Sequence, residues 1–273
     1  MNPLGLCFTA TAGRRGRMLA ALLSAALPAF FPAARGEDAP VVAAAASAQF
    51  ALDEIADAFR ADTGQSVRIS LGSSGNLARQ IRQGAPYQIF LSADERFALE
   101  LARDGFTEDR GRLYSIGRLV LYVPHASPLK ADGSLQDLRA ALDDGRLKRF
   151  AIANPEHAPY GQRAEEALRS AGLWVSIQDY LVYGESVAQA AQFVASQNAQ
   201  GGIIAESLAR SEKVSALGSF ALIPESRHRP LRQRVVLVKG AGPAARRFYR
   251  YLAQPPARAV LAKYGFSLPS ERE

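Results

Sequence analysis

Four short stretches put small or hydroxyl-bearing residues where a strand hands over to a helix. They are Ala46-Ser47, the Gly72-Ser73-Ser74-Gly75-Asn76 run, Pro159-Tyr160-Gly161 and Glu185-Ser186-Val187. Residues of these types suit one chemistry in particular. A helix start carries N–H groups with no intrahelical partner and roughly half a positive charge, and a serine hydroxyl adds a further donor. Several such starts facing one point make an anion site without lysine or arginine. Taken singly, each serine reads as an ordinary N-cap; the recurrence of the pattern suggests a ligand.

The chain carries no complete enzyme motif of the common kinds. The chain has no GxGxxG, no GxxxxGK[ST] and no HExxH. Gly72-Ser73-Ser74-Gly75 falls one residue short of the GxSxG nucleophile elbow. His125, His157 and His228 lie far apart in sequence, and each reads as a surface or hydrogen-bonding residue. A Ser-His-Asp triad would need its partners chosen freely. Cys7 is the single cysteine, which excludes an intrachain disulfide and a thiolate zinc site.

The elements that must position these starts follow from apolar periodicity. Residues 40–46 read as a buried strand and 48–62 as a helix stopped by Gly64. A strand at 67–71, a helix at 76–83 ended by Gly84 and a strand at 89–91 come next. Ser92 and Glu95 have the spacing of a capping box, which predicts a helix opening there and ending near Gly105. The alternation resumes with strands at 119–123 and 150–153, a helix at 161–171 and a strand at 181–183. A second capping box, Ser186 with Gln189, opens a helix to about residue 198. Strands at 202–204 and 235–238 and helices at 243–252 and 255–264 complete the chain. This order predicts an α/β protein with mainly parallel sheets covered by helices.

The 273 residues hold 33 Lys+Arg against 26 Asp+Glu, a formal charge of +7. Four of the basic residues, Arg14, Arg15, Arg17 and Arg35, fall in residues 1–36, which contain no acid. There a basic stretch is followed by an apolar run at 18–31 and then by Ala33, Ala34 and Gly36, the pattern of a secretory signal peptide. The run is short of the ~20 residues that span a bilayer as a helix. Residues 1–36 are therefore expected to be removed on export of a soluble protein. Removing them leaves 29 basic against 26 acidic residues, or +3, and no cysteine. That balance is too slight to argue for nucleic acid, and none is expected as a partner.

Six segments, taken in order and spacing, carry a resemblance. They are AAAASAQFALDEIADAF (43–59), SSGNLARQIRQGAP (73–86), IFLSAD (89–94), NPEHAPYGQRAEEAL (154–168), GGIIAES (201–207) and KYGF (263–266). Together they resemble the periplasmic molybdate-binding proteins of bacterial ABC importers over nearly all of residues 41–268. The resemblance implies a two-lobed periplasmic binding protein of type II, each lobe a mainly parallel sheet flanked by helices, with the ligand in the interlobe cleft. Lobe one is expected at 40–121 and 232–270 and lobe two at 122–231, with crossings near Tyr122 and 231–234.

The resemblance also implies a ligand set. Ser47 and Ser74 match hydroxyl donors, and Tyr160 and Val187 match backbone N–H donors. Ala46, Ser73 and Ala205 are expected as neighbours. Some family members place a ligand-binding tyrosine where this chain has Ala205, and the Tyr160 side chain is expected to replace part of that hydroxyl. The implied function is capture of molybdate and tungstate for a membrane permease, by a monomer with no catalytic residue, no cofactor and no metal beyond that in the oxyanion. The alternatives are a carrier for sulfate or another small oxyanion, a secreted serine hydrolase using Ser47 or Ser74, and a ligand-sensing regulator domain. The signal-like segment and the lack of an N-terminal DNA-binding motif count against the last.

Overall fold

A computed structural model of the chain describes residues 39–269. The expected signal segment 1–36 and Cys7 lie outside the described residues. The chain begins with β1 (Val41–Ala45), a 3-10 turn (Ala46–Ala48), α1 (Gln49–Thr63), β2 (Arg68–Gly72), α2 (Ser74–Arg82), β3 (Ile89–Ser92), α3 (Glu95–Arg103) and β4 (Arg112–Gly117). It continues with β5 (Leu119–Pro124), α4 (Gln136–Asp143), β6 (Phe150–Ala153), α5 (Pro159–Ser170), α6 (Trp174–Ile177), β7 (Leu181–Gly184), α7 (Val187–Ala195) and β8 (Gly201–Ala205). Then come α8 (Glu206–Ala209), α9 (Glu212–Ser215), β9 (Gly218–Leu222), β10 (Leu231–Leu237), α10 (Pro243–Tyr251) and α11 (Pro255–Lys263).

The strands form two five-stranded sheets, ordered β2-β1-β3-β10-β4 and β7-β6-β8-β5-β9. In each sheet a single strand runs against its neighbours. β10 is antiparallel to β3 and β4, and β5 is antiparallel to β8 and β9. These are the strands on which the chain enters a sheet after leaving the other, so mainly parallel sheets are reached with one reversal apiece. Sheets covered by helices need strands apolar on both faces. The strands β3, β5, β6 and β8 are accordingly buried along their whole length.

Helix α1 buries Ala51, Leu52, Ile55 and Phe59, and ends where Gly64 takes φ 71°, the left-handed cap that favours glycine. Phe59 meets Phe248 and Tyr251 edge-on at 5.1 and 5.3 Å, which fixes α1 against α10.

Arg118 alone separates β4 from β5, and β5 pairs along its length within the second sheet. The passage between sheets therefore lies at Arg118, not at Tyr122. Tyr122 is fully buried in the second sheet, its hydroxyl donating to Val214 O at 2.8 Å. The return is made before Leu231, which pairs with Gly117.

The Ser92–Glu95 capping box does not form. Asp94 is the N-cap of α3, accepting from Arg96 N at 2.9 Å, and the Ser92 hydroxyl donates to Asp94 O at 2.7 Å. Glu95 is drawn instead to two guanidiniums of β10, Arg232 at 2.8 Å and Arg234 at 2.9 Å. Two charge-assisted bonds outweigh one cap.

Candidate functional site

The four strand-to-helix turns singled out by the sequence surround one small cleft. It is lined by Ala45, Ala46, Ser47, Gly72, Ser73, Ser74, Ala93, Ala158, Pro159, Tyr160 and Val187, which close around a cavity of only about 10 Å³. None of these residues is charged. The turn after β1 and the starts of α2, α5 and α7 all contribute, so the cleft gathers helix N-termini from both sheets. The first N–H groups of a helix lack intrahelical acceptors, and here they meet where negative charge is favoured.

Ser47 is 1% exposed, and its Oγ, beside the Tyr160 phenol, makes no hydrogen bond of normal geometry. Leaving a buried hydroxyl unpaired costs about 1–3 kcal/mol, which marks Ser47 as a donor awaiting an acceptor from outside the protein. Its backbone is fixed from the second sheet, the Ser207 hydroxyl donating to Ser47 O at 2.6 Å. Ser74 is fully buried at the start of α2, and its Oγ accepts from Ala93 N at 2.9 Å. With its lone pair engaged, the Ser74 hydroxyl proton is free to donate.

Tyr160 lies in the first turn of α5, where its N–H is unpaired by the helix. Its side chain points away from its own sheet. The hydroxyl accepts from Gln233 Nε2 at 3.1 Å, and Gln233 Oε1 in turn accepts from Tyr114 at 2.8 Å. Burial pushes the Tyr160 phenol well above its ordinary value, with the neighbouring Ser47 and Gln233 pulling the other way. The phenol therefore stays protonated and able to donate near neutral pH. A Cβ at Gly117 would overlap both the phenol and the Gln233 amide, so glycine at the end of β4 makes this contact possible.

Val187 opens α7 behind its N-cap Ser186, whose Oγ accepts from Gln189 N at 3.4 Å. The Gln189 side chain reaches back to Glu185 N at 2.6 Å. This cap uses the Glu185 and Gln189 N–H groups and leaves that of Val187, a lining residue of the cleft, without an intrahelical acceptor.

Ser47, Ser74, Tyr160 and Val187 are thus brought together, with Ala46 and Ser73 beside them. Ala205 is not. It is buried at the end of β8, paired with Leu119, and its methyl is outside the lining set.

Two residues that the sequence left unassigned join the surroundings. Gln233 orients the Tyr160 phenol, and His157 bonds Ser73, Nδ1 to Oγ, at 2.9 Å. His157 stands in the same NPEHAPYG segment as Tyr160, so proximity in sequence was the available signal. Gln233 offered none. Among the described residues no group of three or more His, Cys, Asp or Glu is placed to hold a metal ion.

Comparison with known proteins adds to this geometry. The model of the family described as bacterial extracellular solute-binding protein matches residues 40–267. The molybdate-binding protein ModA of Azotobacter vinelandii is 38% identical over 230 residues, covering 83% of this chain and 89% of that one. ModA of Rhodobacter capsulatus is 35% identical over 240 residues, covering 86% and 90%. The solved structure of the Azotobacter vinelandii periplasmic molybdate-binding protein is similar at a TM-score of 0.78 and 32% identity, covering 85% of this chain and all of that one.

Proposed function

The chain belongs to the bacterial extracellular solute-binding protein family, and from that premise we propose that it captures molybdate in the periplasm and hands it to the membrane permease of an ABC importer. Molybdate is a tetrahedral dianion that carries no proton near neutral pH, so every useful contact to it is a donated hydrogen bond. The cleft offers donors and no charged side chain. The observation that carries the proposal is Ser47 Oγ, buried among neutral helix starts with no hydrogen bond of normal geometry.

Neutral donors suit a carrier. Hydrogen bonds to a charged group contribute about 1.5–3 kcal/mol each, enough in sum for tight capture. A buried lysine would add an attraction that is hard to reverse. Sulfate has the same charge and shape but shorter bonds, and donors spaced for molybdate do not all reach it. Tungstate is nearly the size of molybdate and is expected to bind as well. Phosphate brings a proton that a donor-only site leaves unpaired.

In this reading the two sheets are the cores of two lobes, 40–117 with 231–269 and 119–222, which close on the ligand by bending at Arg118 and at 223–230. The protein works as a monomer, exported by its N-terminal segment, without cofactor or catalysis. Ser73, His157 and Glu185 share the residue types of a hydrolytic triad. However, the ring turns Nδ1 rather than Nε2 to the serine, and Glu185 is largely exposed. A serine-reactive phosphonate is accordingly expected to leave the protein unlabelled. The direct test is thermal melting with and without molybdate. A ligand that binds only the folded state raises the midpoint with concentration, and an unmoved midpoint at millimolar molybdate would remove the proposal.

A further inference from the structure

Contacts that join the two lobes surround the cleft, and one set of them centres on a residue that does not line it. His157, in the loop between β6 and α5, faces the start of α2 in the other lobe, its Nδ1 2.9 Å from Ser73 Oγ. On the far side of the ring, Nε2 is 3.3 Å from Glu185 of its own lobe, which holds the imidazole in place. The backbone joins in. Gly75 N donates to His157 O at 3.0 Å. A Cβ at position 75 would sit 2.7 Å from that oxygen, so the contact requires glycine there. Further along the same seam, the nearly buried Arg163 of α5 donates to Asp94 of the first lobe at 2.7 Å.

We infer that His157 is the latch of the cleft: by bonding Ser73 and Gly75 across the gap it holds the lobes shut over the bound oxyanion and sets how long the ligand stays. The inference rests on the molybdate reading above. His157 does not line the cleft and so gives nothing directly to the anion. Its two partners belong to the opposite lobe, so both bonds exist only when the lobes are together. A contact made only in the closed state favours that state by its whole free energy. The ligand enters the open state, before these bonds form, and leaves only after they break. Removing the ring should therefore raise the rate of release and leave the rate of capture alone. Arg163 and Asp94 join the lobes too, but Asp94 also caps α3 and Arg163 also pairs with Glu166, so their loss disturbs each lobe separately. His157 also meets Glu185 of its own lobe, but that carboxylate is largely exposed, so loss of the ring acts mainly on the closure.

Stopped-flow binding of molybdate to the purified protein tests this. His157→Ala is expected to release molybdate about five- to tenfold faster, the loss of roughly one net hydrogen bond. Its association rate should stay within about twofold of wild type, and its melting without ligand should be unchanged. His157→Asn, whose amide can still meet Ser73, should recover most of the slow release. Gly75→Ala, which pushes the His157 carbonyl away from the other lobe, should speed release in the same way. Release at the wild-type rate in His157→Ala overturns the latch, as does an equal loss in association. So does a fall in unliganded melting, which would mark His157 as a structural residue. If wild type itself binds no molybdate, the functional reading fails; if wild type binds and the variant releases alike, only the latch does.

Discussion

At the scale of single residues, Ser47 and Ser74 make different predictions although both are buried serines at helix starts. Ser47 Oγ makes no hydrogen bond of normal geometry in the protein, whereas Ser74 Oγ accepts from Ala93 N. Ser47→Ala should therefore weaken molybdate binding by about ten- to a hundredfold, the value of one hydrogen bond to a charged ligand, with melting unchanged or slightly raised. Ser74→Ala should weaken binding comparably and also lower the melting point a little, because Ala93 N is left without its acceptor. Titration calorimetry and melting curves on the two variants separate these outcomes, and wild-type affinity in either would remove that serine from the site. Tyr160→Phe keeps the backbone N–H and loses the phenol that Gln233 orients, so a smaller loss of affinity is expected. A loss as large as that of Ser47→Ala would make the phenol a ligand in its own right. The serines and the helix-start glycines were legible because the same small and hydroxyl-bearing pattern recurs at four strand-to-helix turns. Gln233 was not, since a glutamine in a strand looks the same whether or not it faces a tyrosine from the other lobe. Ala205, at the end of β8, is not among the residues that line the cleft.

At the scale of elements, the site depends on how closely helix starts approach the strands before them. Gly161, in the first turn of α5, is packed against the carbonyl of Ala153 at the end of β6, and a Cβ there would overlap it. Gly161→Ala should shift the start of α5, move the Tyr160 N–H out of place and reduce both molybdate affinity and melting temperature. Wild-type values for both would show that the start has room to spare. Most strands and long helices were legible because sheets covered by helices demand short apolar runs, as in IFLS of β3 and LVLYVP of β5, and because Gly64 and Gly84 end helices at positive φ. The elements that escaped lack such signals. β4 and β9 are strands of mixed polarity, and α4 follows a left-handed Leu135, its first N–H groups satisfied by Asp132 three residues before that N-cap. The Ser92–Glu95 pair had the spacing of a cap, but Glu95 is claimed by Arg232 and Arg234, which are distant in sequence. No local pattern could show that competition.

At the scale of the whole molecule, more than half of the +7 charge sits in residues 1–36, and the cleft itself uses no charged side chain. Charge matters more for acid stability. Burial pushes Glu95 up, but hydrogen bonds from Arg234 and Arg232 outweigh it and hold the carboxyl below its ordinary 4.5. Glu166 is likewise pushed up by burial and held lower overall by Arg229 and Arg163. A group depressed in the folded state adds stability above its unfolded value and loses it as pH falls through the folded one. Denaturation midpoints should thus be insensitive to these carboxylates near neutrality and decline as pH falls below about 4.5; a decline setting in above pH 6 would point to other groups. The central claim, that a cleft of neutral donors captures a large tetrahedral dianion, is tested most directly by one calorimetric panel of molybdate, tungstate, sulfate and phosphate against the purified protein. Molybdate and tungstate should bind tightly, with sulfate and phosphate weaker by at least about a hundredfold; sulfate binding as tightly as molybdate would contradict the account.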